Sequence, residues 1–164
     1  MLAALEHAIF SAANPILATF LWSMLPVTEL RATIPLAITA YGLSSWTAYA
    51  LSVFGTSTIT FLLLLLLDPA VRLLRHIGFI DRFMHWLFAR TRTRFTKESE
   101  RYGFFLALVI FVAIPLPGTG GWTGALIAYL FGIPLWRAFA AITLGLVLSG
   151  FIVLAITNGT LAIF

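Results

Sequence analysis

Two long apolar stretches, residues 1–67 and 102–164, are separated by one charged segment, residues 68–101. That segment holds 8 of the 10 Lys and Arg residues of the chain. Only 10% of the residues are charged and 61% are hydrophobic, whereas an average globular domain is roughly 25% charged. A water-soluble fold of this length could not bury so much apolar surface. The pattern therefore predicts an all-α integral membrane protein.

Two apolar segments, Trp46–Leu67 and Leu135–Thr157, are long enough to cross a bilayer as single helices. A crossing of about 30 Å needs about 20 residues. We therefore predict two transmembrane helices in one membrane domain, residues 1–164. This domain would consist of repeat one (1–67), a basic amphipathic linker (68–101) and repeat two (102–164).

Other apolar segments are too short to cross. Residues 102–114 would reach only about 20 Å as a helix. A run of Pro and Gly at 115–121 then breaks the helix, and a second short apolar piece follows at 122–131. This layout predicts a re-entrant hairpin, a segment that enters the bilayer, turns and leaves on the same side. Residues 8–25 leave two alternatives, a hairpin arm or a full span.

The first half of the chain matches the second when the sequence is shifted by 90 residues. Gly, Trp, Thr, Leu and Ala residues coincide in the pairs Thr33–Thr123, Leu36–Leu126, Gly42–Gly132, Trp46–Trp136, Ala48–Ala138, Ala50–Ala140 and Gly55–Gly145. Chance matching in apolar sequence is the alternative explanation. The correspondence predicts two repeats, each a re-entrant hairpin followed by a transmembrane helix.

The charged segment determines the expected orientation. Basic segments that flank membrane helices face the cytoplasm, so we expect residues 68–101 to lie on the cytoplasmic side of a prokaryotic inner membrane. One long helix then runs inward and the other outward, which gives the repeats inverted topology. Apolar residues recur at helical spacing between the charges of the segment, which predicts an amphipathic helix that contacts anionic lipids.

The stretch TELRATIP, residues 28–35, places Glu29 and Arg31 in an otherwise uncharged apolar region. Ionisable residues in the bilayer are costly and indicate a functional site by default. We expect the planar guanidinium of Arg31 to bind an anionic head group. We expect Glu29 to bind a proton or a cation, because burial and a neighbouring guanidinium act in opposite directions on the pKa of a carboxyl group. The alternative is a structural pair, Glu29–Arg31 or Glu29–Arg137, that holds the hairpin in place.

Local geometry limits how these residues can meet. Residues at i and i+2 do not face each other on a helix, so contact between Glu29 and Arg31 requires an extended tip. Pro35 suits a first helical turn, where its missing N–H has no partner. We count Thr28, Thr33 and Pro35 as further candidate binding residues at this first tip.

The second tip is uncharged and rich in glycine. Gly118, Gly120 and Gly121 allow positive φ and expose N–H groups, which form a nest suited to phosphate or carboxylate oxygens. We expect the two tips to enter from opposite faces and to share a water-filled site near the middle of the bilayer. The candidate residues of the second tip are Pro115, Pro117, Gly118, Thr119, Gly120, Gly121, Trp122 and Thr123.

The remaining polar residues indicate less. A run of hydroxyl residues in the first long helix is expected to bond back to its own helix or to pack small faces together, rather than to line a path, namely Thr56, Ser57, Thr58 and Thr60. The three histidines are too scattered to predict a metal site, and no nucleophile–base pair favours an enzyme. The sequence predicts no cofactor and no nucleic-acid partner.

With TELRATIPLAI and IPLPGTGGWTGALIAYLFGI in view, the sequence resembles the small multidrug export protein family over nearly its whole length. It is similar, more remotely, to the DedA/VTT membrane proteins (the SNARE-associated Golgi protein domain). The resemblance implies paired inverted re-entrant hairpins. In the DedA/VTT relatives it implies movement of lipids or lipid-linked phosphates, with acidic and basic hairpin residues required. Glu29, Arg31 and Pro35 match the first hairpin of that pattern, whereas the second hairpin here lacks the arginines of DedA-type proteins.

We therefore predict a transporter, similar to a flippase or scramblase, that moves an anionic lipid or a lipid-linked phosphate. Proton coupling through Glu29 is a further hypothesis. One alternative is an exporter of small amphipathic molecules or an ion-coupled carrier, and another is a membrane scaffold that transports nothing. The expected partners are membrane lipids and protons or cations, and a chain with so few helices is compatible with a homo-oligomer.

Overall fold

Six helices make up the part of the chain that the computed structural model describes, residues 14–74, 103–116 and 118–163. In chain order they are α1 (Pro15–Ser23), α2 (Glu29–Thr39), α3 (Ser45–Leu74), α4 (Gly103–Ala113), α5 (Gly121–Leu130) and α6 (Leu135–Ile163). These described ranges contain no strand. The predicted all-α fold class is confirmed.

α3 and α6 are long and apolar enough to cross a membrane. Their apolar spans, Ser45–Val71 and Leu135–Ala162, contain 27 and 28 residues. At 1.5 Å per residue each span is about 40 Å long, which exceeds a hydrocarbon core of about 30 Å. The two predicted long helices are confirmed, although α3 continues beyond Leu67 to Leu74. Most of the predicted amphipathic segment, residues 75–101, lies outside the described residues.

The other helices are too short to cross. α1, α2 and α5 contain 9, 11 and 10 residues, so each extends only about 14–17 Å. α1 begins at Pro15 because Asn14 Oδ1 accepts a hydrogen bond from the Ile16 N–H at 3.0 Å, which caps the helix. Of residues 8–25, the structure describes 14–25, and the helix there is confined to Pro15–Ser23. The hairpin arm stays a prediction.

The chain divides into two compact units. Unit 1 comprises Met1–Thr58 and Leu146–Phe164, and unit 2 comprises Ile59–Gly145. Each unit contains one pair of short helices and a part of both long helices. The prediction of a single membrane domain stays a prediction.

In unit 1, α1 packs on α3 at Gly55. A Cβ atom at this position would overlap Ser23 Oγ and would lie 2.6 Å from the Phe20 carbonyl oxygen. Thr56 Oγ1 donates a hydrogen bond to the Ser23 carbonyl oxygen at 2.9 Å. The missing side chain of Gly55 thus allows the two helices to approach closely.

The parts of α3 and α6 that belong to unit 1 run antiparallel. Ser45 Oγ donates to Asn158 Oδ1 at 2.9 Å, near the start of α3 and the end of α6. The Tyr49 hydroxyl donates to the Val147 carbonyl oxygen at 3.2 Å. A Cβ atom at Gly150 would lie 2.7 Å from Tyr49 Cε2. The two helices are therefore in close contact along this part of their length.

Unit 2 has a comparable glycine contact. A Cβ atom at Gly145 of α6 would lie 2.7 Å from Val112 Cβ and 2.9 Å from the Val109 carbonyl oxygen, both in α4. A Cβ atom at Gly124 of α5 would lie 3.2 Å from Ile142 Cγ1 of α6. Apolar side chains thus surround both glycines, and α4, α5 and α6 meet in an apolar core.

Local features recur in the two units at a separation of 90 residues. Gly42 and Gly132 both have positive φ, 63° and 61°, and the long helices that follow begin at Ser45 and Leu135. The glycines of the two close helix contacts are separated by the same number of residues. These agreements concern the interior of each unit, and the inverted membrane topology of the repeats stays a prediction.

Candidate functional site

The first tip is the turn of residues 24–28 that joins α1 to α2 in unit 1. The Thr28 hydroxyl donates a hydrogen bond to the Trp22 carbonyl oxygen in the last turn of α1. The backbone N–H of Glu29 donates to the Leu25 carbonyl oxygen at 3.0 Å. These bonds fix the turn to the end of α1 and set the direction in which α2 starts.

Glu29 and Arg31 are brought together at this tip. Arg31 Nη1 lies 3.6 Å from Glu29 Oε2, and the two side chains are 19% and 7% exposed. Glu29 has φ of 43°, and among the described residues no other non-glycine residue has positive φ. The prediction that contact requires an extended tip is wrong. Instead, Glu29 is the first residue of α2, and its side chain contacts Arg31 there while its backbone has positive φ.

The ion pair is close but is not a hydrogen bond. A charge-assisted N–H···O bond is about 2.7–2.9 Å long, whereas these atoms are 3.6 Å apart. A left-handed conformation costs a non-glycine residue of order 1–3 kcal/mol, and such residues cluster at ligand sites. The first tip therefore holds an acid and a base side by side in a strained backbone, a geometry able to bind a charged group.

Pro35 lies inside α2 rather than in its first turn. The expectation of a first-turn position is wrong because the helix already begins at Glu29. Pro35 has no N–H to donate to the carbonyl group four residues earlier, which is that of Arg31. Thr33 lies between them, is only 1% exposed, and its Oγ1 has no hydrogen-bond partner.

The second tip, residues 114–120, lies in unit 2 and is built differently. The carbonyl oxygens of Ile114 and Leu116 share the single O–H donor of Thr119, at 2.7 Å and 2.8 Å from Oγ1. The Thr119 hydroxyl thus closes the turn. Gly118 has φ of 82°, but Gly120 has φ of −88°, so positive φ occurs at only one of these two glycines.

α5 starts directly after this turn. Gly120 is its N-cap residue and offers no side-chain hydrogen bond, and Gly121 is buried at the first helical position. Gly121 is not among the glycines with positive φ, so the prediction of positive φ fails there as well. Trp122, Thr123 and Pro115 are half-buried, and Pro117 lies outside the described residues. The anion-binding nest and the water-filled site shared with the first tip stay predictions.

The hydroxyl residues of α3 differ in their hydrogen-bond partners. Thr58 Oγ1 donates to the Phe54 carbonyl oxygen of its own helix at 2.8 Å, as predicted. Thr56 Oγ1 bonds to the Ser23 carbonyl oxygen of α1, at the close contact of the two helices beside Gly55, which agrees with the predicted packing of small faces. Ser57 is buried and its Oγ has no partner.

Two further buried serines, Ser52 and Ser149, were missed by the sequence analysis. Both are fully buried, and neither Oγ has a hydrogen-bond partner. A serine in an apolar helix is a weak sequence signal, and only the tertiary structure separates a bonded hydroxyl from an unbonded one. In the described segments, no three His, Cys, Asp or Glu residues group closely enough to hold a metal ion.

Residues 29–152 match the model of a family described as "Putative small multi-drug export protein". No curated protein and no solved structure matches the chain, and the remote similarity to DedA/VTT proteins stays a prediction. The family match begins at Glu29, directly after the first tip, includes the second tip and extends into α6. Because it covers most of the chain, the protein belongs to this family. The apolar spans of α3 and α6 agree with an integral membrane protein.

Proposed function

We propose that this member of the small multidrug export family is a membrane transporter that moves an anionic lipid or a lipid-linked phosphate across the bilayer. The observation that carries the proposal is the pair of a buried Glu29 and a half-buried Arg31 at the first tip. Charged groups in apolar surroundings are costly and indicate a functional site by default. A guanidinium group matches the geometry of phosphate oxygens.

The proposed topology has two re-entrant hairpins, α1–α2 and α4–α5, each followed by a transmembrane helix. The shortness of the four hairpin helices supports it, because none reaches about 30 Å. The local features that recur at a separation of 90 residues support an internal repeat. Inverted topology and a cytoplasmic position of residues 68–101 complete the proposal, by the positive-inside rule.

The proposed chemistry follows from the short distance between acid and base. An anion that binds Arg31 comes close to the Glu29 carboxylate, which lies 3.6 Å from the guanidinium. Like charges so close together repel, and protonation of the carboxylate removes the repulsion. Binding of the anion and of a proton would therefore favour each other, which is the requirement for coupled transport.

The second tip makes a separate proposed contribution. The first turn of α5 has backbone N–H groups that carry the positive end of the helix dipole, and its N-cap residue, Gly120, has no side chain of its own. Such a terminus favours an anionic group. We assign it a weaker role than Arg31, because it has no charged side chain and because Thr119 uses its hydroxyl within the turn.

A second candidate is export of small amphipathic molecules, which the description of the family favours. The two candidate functions require different residues of the ion pair to bind the substrate. An anionic substrate would need Arg31, whereas a cationic amphiphile would need the Glu29 carboxylate.

Purified protein in lipid vesicles tests these roles. The probe is phosphatidylglycerol with a fluorescent acyl chain, and dithionite added outside measures its movement between leaflets. We expect Arg31→Gln to slow this movement at least about tenfold, since a charged hydrogen bond contributes about 1.5–3 kcal/mol. Glu29→Gln should abolish the dependence of the rate on pH. Arg137→Gln removes the same charge from an exposed side chain and should change nothing.

Each alternative has its own outcome in this assay. Movement of a cationic dye that depends on Glu29 but not on Arg31 would favour the amphiphile exporter. If the wild-type protein moves neither the lipid nor the dye, the scaffold alternative is supported and the proposal fails.

A further inference from the structure

Four hydroxyl groups of unit 1 are buried without a hydrogen bond, and that of Ser57, at 8%, is the most exposed of them. Thr33, Ser52 and Ser149 are 1%, 0% and 0% exposed, and their Oγ atoms have no hydrogen-bond partner. A Ser or Thr in a helix can bond to a carbonyl group of its own preceding turn. Thr19 and Thr157 of the same unit do so, at 2.7 Å and 2.8 Å. The three hydroxyl groups are therefore oriented away from the bond that was available to them.

Ser52 and Ser149 lie at the same level of the antiparallel contact between α3 and α6. Gly150 of α6 and Val53 of α3 are in contact there, because a Cβ atom at Gly150 would lie 3.1 Å from Val53 Cγ2. Ser149 and Ser52 are the residues directly before them in the sequence. On the other side, Ser52 is three residues before Gly55, which faces α1. Ser52 thus lies in the interior of unit 1, between the face of α3 that packs on α6 and the face that packs on α1.

The internal correspondence indicates where α2 packs. In unit 2, Gly124 of α5 lies against Ile142 of α6. The residues 90 positions earlier are Ile34 of α2, which is 0% exposed, and Ser52 of α3. We therefore expect α2 to pack on α3 at Ser52. Thr33 precedes Ile34 and is 1% exposed, so it belongs to the same buried surface of α2.

Glu29 lies one helical turn before Thr33 on α2, and both residues are buried. Residues at i and i+4 share a face of a helix. The buried surface of α2 thus continues from the hydroxyl group of Thr33 to the carboxylate at the tip.

From this arrangement we infer that unit 1 holds an internal water path, lined by Thr33, Ser52 and Ser149, along which protons reach Glu29. A buried water molecule needs two to four polar partners, and hydroxyl groups serve both as donors and as acceptors. A metal cation fits less well, because the guanidinium 3.6 Å from the carboxylate would repel it. The inference rests on the proposed proton coupling and names the route by which the proton arrives.

Unit 1 has few ionisable side chains among its described residues. Among the described residues of unit 1, the charged side chains are Glu29 and Arg31, and the other titratable ones are Tyr41 and Tyr49. A proton that leaves the water path binds a carboxylate oxygen of Glu29. This converts a neutral ion pair into a positively charged site that attracts an anion.

Silver ions test whether the path contains water. The chain has 0 cysteines, so Ser52→Cys and Ser149→Cys each introduce one thiol. Ag⁺ is small enough to follow water, and thiols ionise and react only where water reaches them. Vesicles are treated with Ag⁺ and dissolved in SDS, and the fraction of thiol still open to maleimide is measured. Ala141→Cys places the control thiol at a fully buried, apolar position of unit 2.

We expect Cys at 52 and 149 to be blocked at least about tenfold faster than Cys at 141. Equal resistance at all three positions would show that the hydroxyl groups lie in a dry core, and the inference would fail. Equal reaction at all three positions would also overturn it, because the path would not be specific to the hydroxyl groups. This measurement does not depend on transport, so it can fail while the proposed function stands, or succeed while that function fails.

A transport measurement then tests the role of the path. The double variant Ser52→Ala/Ser149→Ala should lower the proton-driven rate about tenfold and leave lipid movement without a pH gradient unchanged. Thr157→Val removes a hydroxyl that is bonded within its own helix and should leave both rates unchanged. A normal proton response in the double variant would show that protons reach Glu29 by another route.

Discussion

At the tip of unit 1 the chain has Glu29 and Arg31, whereas unit 2 has Thr119 and Gly121 at the positions 90 residues later. Farther along the chain, the buried hydroxyl group of Ser52 in unit 1 corresponds to the buried side chain of Ile142 in unit 2. Unit 1 thus carries charged and unbonded polar groups at positions where unit 2 is uncharged or apolar. The two units therefore differ in polarity at these positions, although Thr143 of unit 2 also has a hydroxyl group without a hydrogen bond.

Other positions are the same in both units. Gly55 and Gly145 each permit a close contact between a short and a long helix, and Gly42 and Gly132 have nearly identical φ values. The units therefore keep the glycines that determine backbone packing and differ in the residues that determine polarity. This is the expected result when one packing arrangement is used twice but only one copy carries the polar centre.

The largest expected effect tests the shared packing. In Gly55→Val the added side chain meets the Phe20 carbonyl oxygen at 2.6 Å, and in Gly145→Val it meets that of Val109 at 2.9 Å. A backbone atom cannot move aside without moving its helix, so each variant should lose about 3 kcal/mol of unfolding free energy. Circular dichroism during denaturation with SDS measures the loss.

The control for that pair is Gly159→Val, because a Cβ atom at Gly159 has nothing within 4 Å. It should stay within about 0.5 kcal/mol of the wild type. If only one of the variants Gly55→Val and Gly145→Val loses stability, the two units do not share their packing and the comparison fails.

A second, smaller effect should be confined to unit 1. Arg31→Gln takes away the cation beside a carboxylate that is only 5% exposed, and breaking such a buried pair costs about 3 kcal/mol or slightly less. The double variant Glu29→Gln/Arg31→Gln leaves no unpaired charge and should recover part of this loss. Arg137→Gln, at an exposed position of unit 2, should change stability by less than about 0.5 kcal/mol. Equal stability of the single and the double variant would show that the two charges are not coupled.

The smallest expected effect is again common to both units. Gly42→Ala and Gly132→Ala each place a Cβ atom at φ near 60° with nothing within 4 Å, so the cost is purely conformational, about 1–2 kcal/mol. Gly159→Ala, in an ordinary helical position, should instead gain up to about 1 kcal/mol. Thermal unfolding of the three variants measures these changes in stability. Unequal losses of stability in Gly42→Ala and Gly132→Ala would show that the two turns are not equivalent.

The long-range architecture could be predicted only in part. The 90-residue shift located the paired glycines, because a close helix contact requires the same small residue in each copy. The starts of the second hairpin helices depart from this shift by two residues, since α5 begins at Gly121 and α2 at Glu29, a separation of 92 residues (121 − 29). The turns before these helices differ in length and in hydrogen bonding, and sequence similarity does not report either property.

The sequence by itself determined where helices of membrane-spanning length lie, where Pro and Gly interrupt the apolar segments, and which two charges lie at the first tip. Hydropathy, the length of an apolar segment and backbone stereochemistry are local properties, so the sequence alone is enough to obtain them. Only the tertiary structure decided that Glu29 takes positive φ and contacts Arg31, that Pro35 lies inside α2, that Thr56 bonds to α1, and that Ser52 and Ser149 are buried without a bond. These outcomes depend on which neighbour occupies the adjacent space, and that neighbour comes from a distant part of the chain.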